Sequence, residues 1–168
     1  MTKKIAYSGV FGALIMAFTL LSIPIHPFGY VHIGDSLIFL CCFILPLPFC
    51  AIAAGVGSMF ADIILSYTIY APATLVIKAL MAIVARLFVT KTDKIGIAMI
   101  GFLLASLLMQ VGYWLYNIML GGEAYGLIGW LTNLTQTAAS IPVAFILVKF
   151  VPKVRQINDT RLLWRKKV

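Results

Sequence analysis

Apolar residues fill this chain in long runs, and the polar positions that interrupt them fall into short clusters. Runs near 20 residues match the length a helix needs to cross the hydrocarbon core of a bilayer. Breaks fall at Pro24 and Pro27, at Pro46 and Pro48, around Thr68–Ala71, at Arg86–Lys94 and at Gly121, Gly122 and Gly126. The pattern predicts an all-α polytopic membrane protein of six transmembrane helices, at roughly 5–23, 31–45, 49–67, 72–89, 95–120 and 128–151. The tail, 152–168, reads as a basic anchor at the inner surface. The second run is short for a span. A re-entrant hairpin over 31–67 would return the chain to the same side as two full crossings. Pro72 suits a first helical turn, and Pro142 predicts a kink in the last helix. Lys3 and Lys4 before an apolar run mimic a secretion signal. No small-x-small cleavage site follows, so the run reads as a retained first helix.

Composition agrees with lipid as the solvent. The chain of 168 residues is 62% hydrophobic and 11% charged, with a mean hydropathy of +1.06. A soluble domain carries about 25% charged residues. Six spans of roughly 20 residues leave only short loops, so a single integral membrane domain over 1–168 is expected. Charge then fixes orientation. Of the 13 Lys and Arg, all but Lys78 lie at the two ends or within Arg86–Lys94. The intervening segments 24–34, 68–71 and 121–127 contain neither. By the positive-inside rule both termini are cytoplasmic. The net charge of +8 flanks apolar helices, and no soluble module is available to present it to nucleic acid. No half of the chain obviously repeats the other, which argues against an inverted-repeat carrier.

Polar residues inside the apolar runs carry the functional reading. Gln110, Trp114 and Asn117 share a helical face, with Tyr113 and Tyr116 beside them. Trp130, Asn133, Gln136 and Thr137 follow near-helical spacing on the next run. The two runs join at the outer side, so Asn117 and Asn133 lie near that side and Gln110 and Gln136 lie deeper. Amides and indoles at matching depth suit a flat, neutral, hydrogen-bonding ring. Interhelical bonding with an aromatic belt is the structural alternative. Asp62 and Lys78 lie about 8 and 9 Å below the 68–71 turn at a rise of 1.5 Å per residue. They are expected to form a structural ion pair, with ligand contact by Lys78 the alternative. Gly9, Ala13 and Ala17 make a stripe of small side chains that admits a close neighbour, either from this chain or from a partner. His26, His32 and Asp35 in the first outer loop read as a lid or as capping residues, and less well as a metal site. Cys41, Cys42 and Cys50 read as small buried apolar residues. No phosphate-binding loop, H-E-x-x-H or G-x-S-x-G occurs, so neither ATP hydrolysis by that route nor enzyme chemistry is expected of this chain.

Several stretches resemble a known family. Gly34-Asp35-Ser-Leu-Ile-Phe-Leu, Ala51-Ile-Ala-Ala-Gly-Val-Gly-Ser58, Ala61-Asp62, Tyr67 and Tyr70-Ala-Pro-Ala-Thr-Leu-Val-Ile-Lys78 are similar to the substrate-binding S components of energy-coupling factor (ECF) vitamin transporters. The hydroxymethylpyrimidine and pyridoxine type is the most similar. The resemblance implies six helices in a bacterial cell membrane and a vitamin bound from outside. It also implies partnership with a transmembrane coupling subunit and two ATP-binding subunits, so ATP serves the partners and this chain carries no cofactor. The family's A-x-x-x-A docking motif falls on Ala13 and Ala17. The family's ligand site, near the first outer loop and helices four to six, overlaps the polar faces above. On this reading Trp114, Trp130 and Tyr113 wall the ring, and Gln110, Asn117, Asn133 and Gln136 bond its substituents. A stand-alone ion-coupled carrier, a small membrane enzyme and a purely structural subunit are the alternatives. Asp62 is the one deep acid such a carrier would have to use.

Overall fold

A computed structural model of the protein describes residues 2–25, 30–91 and 95–150. In chain order the elements are α1 (Thr2–Leu20), β1 (Ser22–Pro24), β2 (Tyr30–His32), α2 (Gly34–Ile44), α3 (Leu47–Ile64), α4 (Ala71–Lys91) and α5 (Ile95–Phe150). Four of these helices are long and apolar enough to cross a membrane. Large apolar side chains such as Val10, Leu103, Leu115, Met119 and Leu131 face outward. A continuous apolar surface of this kind is a face for lipid.

The first apolar run ends earlier than its hydropathy suggests. Helix α1 stops at Leu20, and Ser22–Pro24 pairs antiparallel with Tyr30–His32 in the register Ser22↔His32, Ile23↔Val31 and Pro24↔Tyr30. The expected second helix from residue 31 therefore loses its first turn to a strand. What remains, α2, has 11 residues, about 16 Å at the helical rise, which is half a membrane. A half-length helix in hydrocarbon is tolerated only where protein surrounds it. Ile38, Phe39, Cys41 and Cys42 are fully buried, and α2 packs against α1, α3, α4 and α5. Phe39 stacks on Phe102 at 4.2 Å with Phe43 edge-on to the same ring at 5.8 Å. The last carbonyls of a helix need partners. Arg86 on α4 supplies two N–H contacts, to the carbonyls of Cys42 and Phe43 at 2.5 and 3.4 Å, where a cation also complements the helix dipole.

Pro46 and Pro48 start α3 rather than separating it from α2 by a loop. Pro46 is the extended N-cap residue and Pro48 falls in the first turn, where a missing N–H costs nothing. The backbones of α1 and α3 touch: a side chain at Gly57 would collide with the main chain of Gly12. The α3–α4 connection is a tight turn, with the amides of Tyr67 and Tyr70 bonded to the carbonyls of Asp62 and Tyr67 at 2.8 and 2.9 Å.

The expected loop over 121–127 is reduced to one residue. Helical dihedrals persist from Ile95 to Phe150 except at Gly122, whose φ of 80° and ψ of −176° reverse the chain. Only glycine adopts that conformation cheaply. The two limbs of α5, before and after Gly122, fold back on each other. Gln110 donates to Thr137 at 3.3 Å, and Trp114 meets Trp130 edge-on at 6.0 Å. Pro142 lies inside the second limb without ending it. The β-hairpin, the α3–α4 turn and Gly122 all lie at one end of the molecule, joined by Tyr30–Asp62, Tyr70–Asn117 and Tyr116–Ile69 hydrogen bonds.

Candidate functional site

Beneath that end lies a polar cavity of about 50 Å³. Each helix that lines it contributes from within an apolar run, so every polar side chain there must be matched by another. Its deepest part is an ion pair. Lys78 Nζ of α4 donates to Asp35 Oδ1 at 2.5 Å, and both side chains are 2% exposed. Gln136 Nε2, from the second limb of α5, donates to Asp35 Oδ2 at 2.7 Å. The ammonium also meets Met109 Sδ at 3.0 Å and lies 5.7 Å from the centre of the Tyr113 ring. Both carboxylate oxygens of Asp35 are thus occupied. The expected Asp62–Lys78 ion pair is corrected: Lys78 pairs with Asp35. The reason is depth. Asp35 was expected in a loop, but as the second residue of the buried half-helix α2 it descends to the level of Lys78.

Asp62 takes a different partner. The hydroxyl of Tyr30, on β2, donates to Asp62 Oδ1, while Asp62 Oδ2 is buried and has no hydrogen-bond partner among the described residues. Above these acids the wall is phenolic. Thr74 and Tyr113 share a hydroxyl–hydroxyl bond of 2.8 Å. Tyr70 donates to Asn117 Oδ1 at 2.8 Å and meets the Tyr125 hydroxyl at 3.0 Å. The Tyr30 ring lies 5.3 Å from His32 and 5.1 Å from Tyr67. Burial together with the Asp62 charge raises the Tyr30 phenol far above its ordinary range, so it stays a donor.

His32 is held neutral. The Gly34 amide donates to its Nδ1 at 3.0 Å, which leaves the ring proton on Nε2. Burial lowers its pKa to about 4, with Asp35 pulling upward and Lys78 downward. Ser140 donates to the His32 carbonyl at 3.3 Å, tying β2 to α5.

Of the residues expected in the site, Lys78, Tyr113, Asn117, Asn133 and Gln136 line the cavity. Gln110 is buried against Thr137 beside it. Trp114 and Trp130 are not among its lining residues: Trp114 is 37% exposed, and both pack in the α5 hairpin, where Gly126 fits against Trp114. The aromatic wall is made of tyrosines instead. Tyr30, Tyr67, Tyr70 and Thr74 line the cavity without having been singled out for it by the polar pattern, and Asp62 was expected in an ion pair or, in the carrier alternative, as the coupling acid. A hydroxyl-bearing residue in Tyr70–Lys78, on the face shared with Lys78, was the available signal: Thr74 and Lys78 are one helical turn apart. His32 and Asp35 were recognised as polar but assigned to a lid or cap. His26 lies outside the described residues, and among those described no cluster of metal-ligating side chains occurs.

Gly9, Ala13 and Ala17 are all exposed on α1. Gly9 and Ala13, with Ser8, Gly12, Phe49 and Ile52, line an apolar groove of about 480 Å³ between α1 and α3.

A multi-pass membrane protein with a polar cavity beneath one end has the form of a membrane-embedded binding subunit. The family model of the ECF-type riboflavin transporter S component matches residues 1–153, and the chain belongs to that family. S components are transporter subunits that bind a vitamin, not enzymes. A curated relative from Pyrococcus woesei, described as an uncharacterized protein in gap 3'region, is 29% identical over 113 residues, covering 67% of this chain and 76% of the relative.

Two outcomes are expected of the polar floor. Lys78→Ala strands the buried Asp35 charge, a loss of about 3–5 kcal/mol for a broken buried pair. Lys78→Met with Asp35→Asn recovers part of it, which thermal melting in detergent reads. His32 has a folded pKa of about 4 against an ordinary 6.5, so protons bind the unfolded chain first. Its contribution is complete above pH 6.5 and is lost as pH falls toward 4, by about 3 kcal/mol. The melting temperature of His32→Gln is expected to fall less than that of the wild type over this window.

Proposed function

We propose that this chain captures a neutral heterocyclic vitamin in the Tyr-lined cavity, for import driven by partner subunits that hydrolyse ATP. The observation that carries the reading is the cavity itself: phenols, amides, a neutral imidazole and the Asp62 carboxyl surround it, and Lys78, the one cation among its described lining residues, is already bound to Asp35. Such walls offer stacking faces and matched donors and acceptors but no anchor for an anion. They bind rather than react, since the carboxylate–ammonium pair is locked in a closed network. No cofactor is needed for that role.

Riboflavin is the first candidate, because the family is named for it. A single-ring vitamin of the hydroxymethylpyrimidine or pyridoxine kind is the second reading, favoured by the narrowness of the cavity. In either case Tyr30 and β2 must give way to admit a ring.

The chain acts as one membrane-embedded unit. Each limb of α5 is about 40 Å long at the helical rise, enough to cross, so α5 accounts for two spans. With α2 as a buried half-span this gives six membrane-embedded helices. The basic residues at the termini and within 86–94 favour a cytoplasmic side for both termini by the positive-inside rule, with the cavity opening outward. The groove between α1 and α3 presents Gly9 and Ala13 in an open apolar channel, which suits a helix of the coupling subunit.

Two experiments test this. Mass spectrometry of the protein purified in detergent is expected to find a bound vitamin, and fluorescence titration is expected to rank riboflavin above pyridoxine. The reverse ranking selects the second reading, and failure to bind either sinks both. Ala13→Leu fills the groove and is expected to abolish co-purification with the coupling subunit while leaving vitamin affinity within about twofold. Unchanged co-purification would refute docking there.

A further inference from the structure

We propose that Asp62 is the specificity-determining residue of the cavity: its carboxylate accepts a hydrogen bond from a donor on the vitamin and turns away ligands that carry a phosphate. This rests on the capture reading above. Two carboxylates at the cavity are in contrasting states: Asp62 lines it, and Asp35 lies behind the lining residues Lys78 and Gln136. Asp35 is saturated by Lys78 and Gln136. Asp62, 3% exposed, has Tyr30 on Oδ1 and nothing on Oδ2 among the described residues. The Thr74 hydroxyl, which shares a 2.8 Å bond with Tyr113, also acts on the Asp62 carboxylate as a hydrogen-bond donor, so a ligand donor on Oδ2 would add to Tyr30 and Thr74. A carboxylate can accept several hydrogen bonds, and a buried acceptor left unmatched is costly. A ligand N–H or O–H placed on Oδ2 removes that cost, so its hydrogen bond is worth more than one made at an exposed site.

Charge works in the same direction. Lys78 is offset by Asp35, and His32 is neutral at physiological pH. Among the described lining residues, Asp62 is then the acid with no cation in direct contact, and its ionised form is negative. Like charges repel strongly where water is scarce, and a phosphate ester brings a charge of about −1.5 to −2 at pH 7. Among the described lining residues there is no arginine to receive it. The site therefore accepts the free vitamin and rejects its phosphorylated form.

Titration of purified protein with riboflavin, riboflavin 5′-phosphate, pyridoxine and pyridoxine 5′-phosphate tests this, because each pair differs by one phosphate. Wild-type protein is expected to bind the unphosphorylated member of its preferred pair at least roughly tenfold tighter. Asp62→Asn keeps the shape and removes the charge. It is expected to weaken the unphosphorylated ligand roughly 10- to 100-fold, the range for a hydrogen bond to a charged group, and to bring the ratio within the pair close to one. A purely structural role would weaken both members alike and leave the ratio unchanged. Equal or tighter binding of the phosphate ester by wild-type protein overturns the proposal with no variant required. So does an Asp62→Asn protein with unaltered affinity and ratio. Wild-type protein that binds none of the four overturns the capture reading, and this proposal with it.

Discussion

A lysine and an aspartate that leave water together inside hydrocarbon must meet, and the geometry of this protein follows from that requirement. Neither Lys78 nor Asp35 is tolerable alone at this depth. Their contact at 2.5 Å forces the start of α2 down beside the middle of α4, and Gln136 draws the second limb of α5 onto the same carboxylate. Three elements distant in sequence are thereby held at one level. Buried ion pairs are weak evidence of net stability. This one does something else: it gives the bundle a fixed register, and it leaves a polar hollow directly above.

Much of the architecture was legible in the hydropathy. The long helices α1, α3 and α4 and the two limbs of α5 fall where apolar runs predict them, because in lipid an apolar run of sufficient length has few other conformations. The failures are local and share a cause. Ser22–Pro24 and Tyr30–His32 each hold one β-branched residue between less apolar ones, too short a pattern for hydropathy to show that they pair with each other as strands. With the strand unseen, α2 was drawn too long and Asp35 too high, and Lys78 was matched to Asp62, the acid nearest along the adjacent helix. Gly121, Gly122 and Gly126 looked like a loop. In fact Gly126 is packing space for Trp114, and Gly122 alone turns the chain.

The site was half legible. Amides at helical spacing pointed to Asn117, Asn133 and Gln136, which line the cavity, since an amide in a membrane helix must find a polar neighbour. An indole has a single N–H to place and no acceptor. Trp114 and Trp130 satisfy each other edge-on at the lipid side of the hairpin, whereas tyrosines, whose hydroxyls need partners, turn inward to Asp62, Thr74 and Asn117. The polar tip, not the size of the ring, decided which aromatics face the hollow.

The reversal at Gly122 has a consequence for how the protein enters the bilayer. One residue offers no soluble connector that could wait in water while its neighbours partition separately. The two limbs of α5 therefore partition as a single helical hairpin, already zipped by Trp114 on Trp130 and Gln110 on Thr137. Glu123, the adjoining acid, sits at the tip of that hairpin, and Lys149 lies at its far end.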